Sequence, residues 1–197
     1  MLPIKDLNEL VEIIAASSAE CAQQYGAHRY EHGSHYRPCP EPFVVHAVYK
    51  RLSRLDYEAT AEANQGGIWS LAKQKRRMPK KSAQRRYDLV LWNGRKKPTA
   101  LCEFKWGFNP AGFRADAKAL SHAKNVLNVS PVLCLLVMKE DRTKLEPAIR
   151  AQVEHLETEY GIRSCAYSSI VKAQQHFCGR PVKDSHVYIQ AFVCSIN

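Results

Sequence analysis

Acidic residues are in short supply in this chain: 19 Asp and Glu stand against 29 Lys and Arg, giving a net charge of +10 and a pI near 9.3. Such an imbalance says nothing about fold, but it favours a polyanionic partner over an acidic or neutral one. Glycine is sparse too, and no phosphate-cradling glycine-rich loop occurs, which argues against NTP-driven work. No C-x-x-C is present, and the seven cysteines are odd in number and widely spaced. A disulfide scaffold, a zinc ribbon and a paired thiol nucleophile all lack their spacing signature. Free thiols at Cys102, Cys134 and Cys194, inside expected strands, suit a reducing compartment. No apolar run approaches a membrane span and no charged-then-apolar leader opens the chain, so the expectation is a soluble, cytoplasmic protein without membrane contact. Neither an internal repeat nor a low-complexity segment appears.

What is present is organised around Arg86–Gly107. Arg86–Trp92 and Thr99–Trp106 are short and rich in apolar, aromatic and β-branched residues, and Asn93-Gly94 between them suits a reversal. This is the pattern of a hairpin. In its second strand Leu101, Glu103 and Lys105 share one face and Cys102, Phe104 and Trp106 the other. Asp88, early in the first strand, comes beside Glu103 if the two pair antiparallel. Two carboxylates converging beside a lysine suit a hard divalent ion such as Mg²⁺ or Mn²⁺, with the Phe104 carbonyl as a further oxygen ligand. Lys105 would then hold or deprotonate a water, or offset charge on a phosphate.

Around this hairpin the pattern predicts an amphipathic helix from Pro3 to about Gln24, ended by Gly26, which packs on the core or serves a dimer. A polar, aromatic loop follows over 25–40. His28, His32, His35 and Cys39 within it match no common zinc module, and its rings suit stacking on bases equally well. A helix starts at Pro40-Glu41-Pro42, carrying Val45, Val48, Leu52 and Leu55 at helical spacing. Tyr57–Ala63 alternates as a strand, broken at Gln65-Gly66-Gly67. Between Lys73 and Arg86, eight of fourteen residues are basic: Lys73, Lys75, Arg76, Arg77, Lys80, Lys81, Arg85 and Arg86. Arg95, Lys96 and Lys97 in the hairpin turn extend that field, and phosphate-backbone contact accounts for both groups. A helix over Ala111–Leu127, with Asp116, Lys118 and His122 on its solvent side, leads to an apolar strand, Val132–Met138, parallel to the Glu103 strand. A helix over Leu145–Tyr160 and strands at Ser164–Val171 and His186–Ser195 complete the chain, with a loop over Gln174–Ser185.

Asp88, fourteen intervening residues, then Glu103-Phe104-Lys105 resembles the signature of the PD-(D/E)XK nuclease superfamily, with Tyr87 where that family often has Pro. The resemblance spans Glu41 to Met138. It implies an α/β fold with a restriction-endonuclease-like core (α-β-β-β-α-β), here with an added N-terminal helix and added C-terminal strands. The chain then reads as one domain over 1–197: a helix and His/Tyr-rich loop over 1–39, the core over 40–138 and an extension over 139–197. It also implies a Mg²⁺-dependent nuclease, expected to be an endonuclease acting on DNA; a homodimer would suit cutting both strands of a duplex. Asp88 and Glu103 would hold the metal and Lys105 would position or activate water. Glu41 would complete the metal shell, a role for which Glu58 and Glu62 compete. Two other readings stand beside this one: a nucleic-acid-binding protein of the same fold that does not cut, and an inhibitor or assembly factor acting through its basic face.

Overall fold

A computed structural model of the chain describes residues 7–31, 41–72, 85–93, 97–106, 110–139, 141–160, 164–177 and 180–195. They form a mixed α/β architecture, a central sheet with helices on both faces. In chain order the elements are α1 (Leu7–Glu31), α2 (Glu41–Arg54), β1 (Ala59–Asn64), α3 (Gln65–Leu71), β2 (Arg86–Asn93) and β3 (Lys97–Trp106). There follow α4 (Pro110–Leu127), β4 (Ser130–Lys139), a 3₁₀ turn (Arg142–Lys144), α5 (Leu145–Tyr160), β5 (Ser164–Tyr167), β6 (Val171–Phe177) and β7 (Arg180–Ser195).

The sheet runs β1-β2-β3-β4-β7-β5, with β6 also paired to β7. β3 and β4 are parallel, as the intervening helix predicts, and the other pairs are antiparallel. β3 and β4 alternate strictly. Cys102, Phe104, Val132, Cys134 and Leu136 pack against α1 and α2, while Leu101, Leu133, Leu135 and Val137 pack against α3, α4 and α5. Both faces are covered, which is why the sequence of β4 reads as one continuous apolar run.

Several expectations are corrected. α1 does not stop at Gly26 but continues to Glu31; a glycine inside a helix costs only about 1 kcal/mol, which a helix this long can carry. Its residues Leu10, Val11 and Ile14 are fully buried against α2 and the sheet, so α1 is a core helix. Gln65-Gly66-Gly67 ends β1 by opening α3, whose N-cap Asn64 accepts a hydrogen bond from the Gly67 N–H at 3.2 Å. Buried Ile68 and Trp69 anchor that helix. The expected loop after Gln174 is strand instead. Val171–Gln174 pairs with His186–Ile189, and His176 and Phe177 pair with Pro181 and Arg180. Polar residues are compatible with pairing at a sheet edge, because the ladder is made by the backbone. The C-terminal extension therefore has three strands where two were expected. Among the described residues, no helix is long and apolar enough to cross a membrane.

Candidate active site

Asp88, Glu103 and Lys105 are brought together where β2 and β3 part. Leu89 pairs with Cys102, which sets Asp88 opposite Glu103 in the same register. The faces of β1 and β2 invert at this level. Ala61 and Leu89 lie on the α1/α2 side, whereas Ala63 and Tyr87 lie on the other. Simple alternation would put residues two apart on one face. Glu62, between Ala61 and Ala63, has φ 51°, a left-handed conformation costly for a residue with a Cβ. Asp88 lies across from it, between the pairs Ala61–Leu89 and Ala63–Tyr87, and its carboxylate accepts the Phe104 N–H at 2.7 Å. The side chain thus bonds a β3 backbone group and faces the remaining acids.

Lys105 has three acceptors. Its ammonium donates to the Phe104 carbonyl at 2.8 Å and to Glu41 at 3.3 Å, and it pairs with Asp116 at 3.1 Å. Glu41 is the first residue of α2, the position expected for it. Glu58 and Glu62 are exposed, and Glu41 is the one of the three that bonds Lys105. Asp116 was expected on solvent, yet its side chain is only 13% exposed. Helix α4 buries Phe113, Ala117 and Leu120, and Asp116 lies three residues from Phe113 and four from Leu120, at the border of that buried stripe. That spacing was the available signal. Lys118 and His122 are exposed as expected, with His122 stacked on Trp69 at 5.5 Å.

Arg85 belongs to this cluster as well. One nitrogen, Nη2, donates both to Glu103 at 3.0 Å and to Asp116. Arg86 and Lys97 are exposed. The other basic residues expected to touch nucleic acid (Lys73, Lys75, Arg76, Arg77, Lys80, Lys81, Arg95 and Lys96) lie outside the described residues, as do His32, His35 and Cys39.

The electrostatics follow from burial. Glu103 is 4% exposed, and desolvation, reinforced by Asp88 and Asp116, pushes its carboxyl up to about 9. The Arg85 guanidinium opposes this shift without overcoming it. Burial also raises Glu41, against the pull of Lys105. For Lys105, burial favours the neutral amine, but Asp116 and Glu41 outweigh it and the group is held as an ammonium.

Four carboxylates therefore face two cationic groups, an excess of two negative charges when all are ionised. Among the described residues, no three acid, histidine or cysteine side chains converge into a group able to hold a metal as they stand. The donor chemistry nonetheless fits a hard dication: oxygen ligands, more acids than cationic groups, and a buried Glu103 carboxyl that desolvation holds protonated. A separate groove of about 510 Å³ between α5 and the β5/β7 region shares no residue with this cluster. Glu146, Glu154 and Glu157 line it, so it is ill suited to a polyanion. No family model, curated protein or solved structure matches the chain.

Proposed function

We propose that the chain is a Mg²⁺- or Mn²⁺-dependent nuclease with a PD-(D/E)XK-type site, hydrolysing phosphodiester bonds of nucleic acid, DNA first among them. The observation that carries this reading is the meeting of Asp88, Glu103, Lys105 and Glu41, drawn from the three elements β2, β3 and α2, around one buried acidic cluster. The element order α2-β1-β2-β3-α4-β4, interrupted by the short α3, and the parallel β3/β4 pair support the same resemblance. The net charge of +10 supports a polyanionic substrate.

Asp88 and Glu103, with the Phe104 carbonyl, are the groups that would hold the metal, and Glu41 would complete the shell. The ion, when bound, supplies stabilisation of charge on the phosphoryl oxygens and acidification of water. Lys105 has a defined part in this chemistry. Because Asp116 and Glu41 hold it protonated, it acts first as a charge and a donor, orienting the attacking water or neutralising the phosphate. A role as general base would require it to lose a proton that the two accepting carboxylates stabilise on the amine. Asp116 holds the ammonium beside its Phe104 carbonyl contact and acts as a positioning residue.

The test is cutting of labelled duplex DNA, single-stranded DNA and RNA with Mg²⁺ or Mn²⁺, reversed by chelator. Metal-dependent scission supports the reading, and the panel reports the substrate. Tight, salt-sensitive binding without scission in any metal would instead favour a non-cutting binding protein. The occupation of the acids by Arg85 and Lys105 gives that second reading its own support.

A further inference from the structure

Arg85 makes an unusual pair of contacts for an arginine. The side chain is 26% exposed, and both of its acidic partners are served by the single nitrogen Nη2. Its Nε is buried and has no hydrogen-bond partner. Arginine binds carboxylates and phosphates best through two parallel N–H donors, and here that fork is not used. The guanidinium therefore bridges Glu103 and Asp116 while leaving part of its own donor capacity unmet. Its backbone is fixed, since the Arg85 carbonyl accepts the Gln65 N–H at 2.9 Å, so a change of partner needs only a side-chain swing. The next residue, Arg86, is exposed at the start of β2.

Resting on the nuclease reading above, we propose that Arg85 is an internal counter-cation that competes with the divalent metal for Glu103, and that a nucleic-acid phosphate releases the site by drawing the guanidinium away. A cation at Glu103 and the Arg85 guanidinium repel one another and share an acceptor, so each weakens the other. A phosphodiester offers Arg85 the two-donor geometry that its present partners do not. Metal and nucleic acid then bind cooperatively, and by linkage each tightens the other by the same factor.

The experiment is Mn²⁺ titration, followed by the electron paramagnetic resonance signal of the free ion, with and without a hydrolysis-resistant phosphorothioate duplex. Wild type, Arg85→Gln and Glu103→Gln are compared. Without duplex, Arg85→Gln is expected to bind Mn²⁺ about tenfold more tightly than wild type, and duplex to tighten wild type by about tenfold but the variant by less. If Arg85→Gln binds no more tightly than wild type while Glu103→Gln loses binding, the competition is wrong and the nuclease reading stands. If no form binds Mn²⁺, with or without duplex, both fall. Should Arg85→Gln not fold, Arg85→Lys keeps the charge on a shorter reach. An affinity between those expected for wild type and Arg85→Gln supports the proposal, and one equal to wild type overturns it.

Discussion

At the scale of single residues, Glu103 determines how the site behaves. Its carboxyl is raised from 4.5 to about 9 in the fold, so the native state holds a proton that the unfolded chain gives up. Between those values the native protein binds more protons, and this group's contribution to stability is present at low pH and lost as pH rises toward 9. In metal-free protein, thermal melts are expected to show that loss, Glu103→Gln to flatten it, and an unchanged profile in the variant would contradict the assignment. Asp116→Asn leaves the fold intact but frees Lys105 on one side, and should lower the cutting rate about 10- to 100-fold, as loss of an orienting partner does. Reduced kcat with little change in KM is the expected split. The meeting of Asp88 and Glu103 was legible from the hairpin pattern, since antiparallel pairing sets one opposite the other and alternation puts Lys105 on the same side as Glu103. Asp116 and Arg85 were not, because charge suggests solvent and only packing reveals that α4 turns Asp116 inward, where Arg85 meets it.

At the scale of elements, the inversion of β1 and β2 at Glu62 and Asp88 aims the Asp88 carboxylate. Glu62 holds φ 51° within a strand, a conformation that glycine adopts freely and a β-branched residue resists. Glu62→Val is expected to cost about 1–3 kcal/mol and to impair cutting, whereas Glu62→Gly retains both fold and activity. Denaturant melts of the two variants provide the comparison, and equal stability would mean the inversion does not depend on that residue. No sequence pattern announces it. The Glu62 side of β1 reads as ordinary alternation, and the conformation arises because Ala63 and Tyr87 are claimed by the α3/α4 core while Ala61 and Leu89 are claimed by α1 and α2. Periodicity did reveal α2, α4, α5, the β2/β3 hairpin and the parallel β4, each with strong apolar spacing. It failed for α3 and β6, which depend on an asparagine cap and on backbone pairing at an edge.

At the scale of the whole molecule, an acidic pit sits in a protein of net charge +10. On the proposed reading the two charges have different tasks: the acids would attract metal, and the basic surplus would attract phosphate. Lys80 and Lys81, in the basic stretch preceding β2, are expected to act through the backbone alone. Replacing both with Ala should weaken nucleic-acid binding uniformly across sequences and reduce the salt slope by about 2. An unchanged slope would remove that stretch from the interface. The measurement that bears most directly on the central claim compares Asp88→Ala and Glu103→Gln with wild type. Each is purified in the same way, shown folded by circular dichroism and assayed for scission in Mn²⁺ and in chelator. Chelator-sensitive cutting by wild type, lost in both folded variants, is the result expected. Cutting that survives both substitutions would contradict the assignment of the active site.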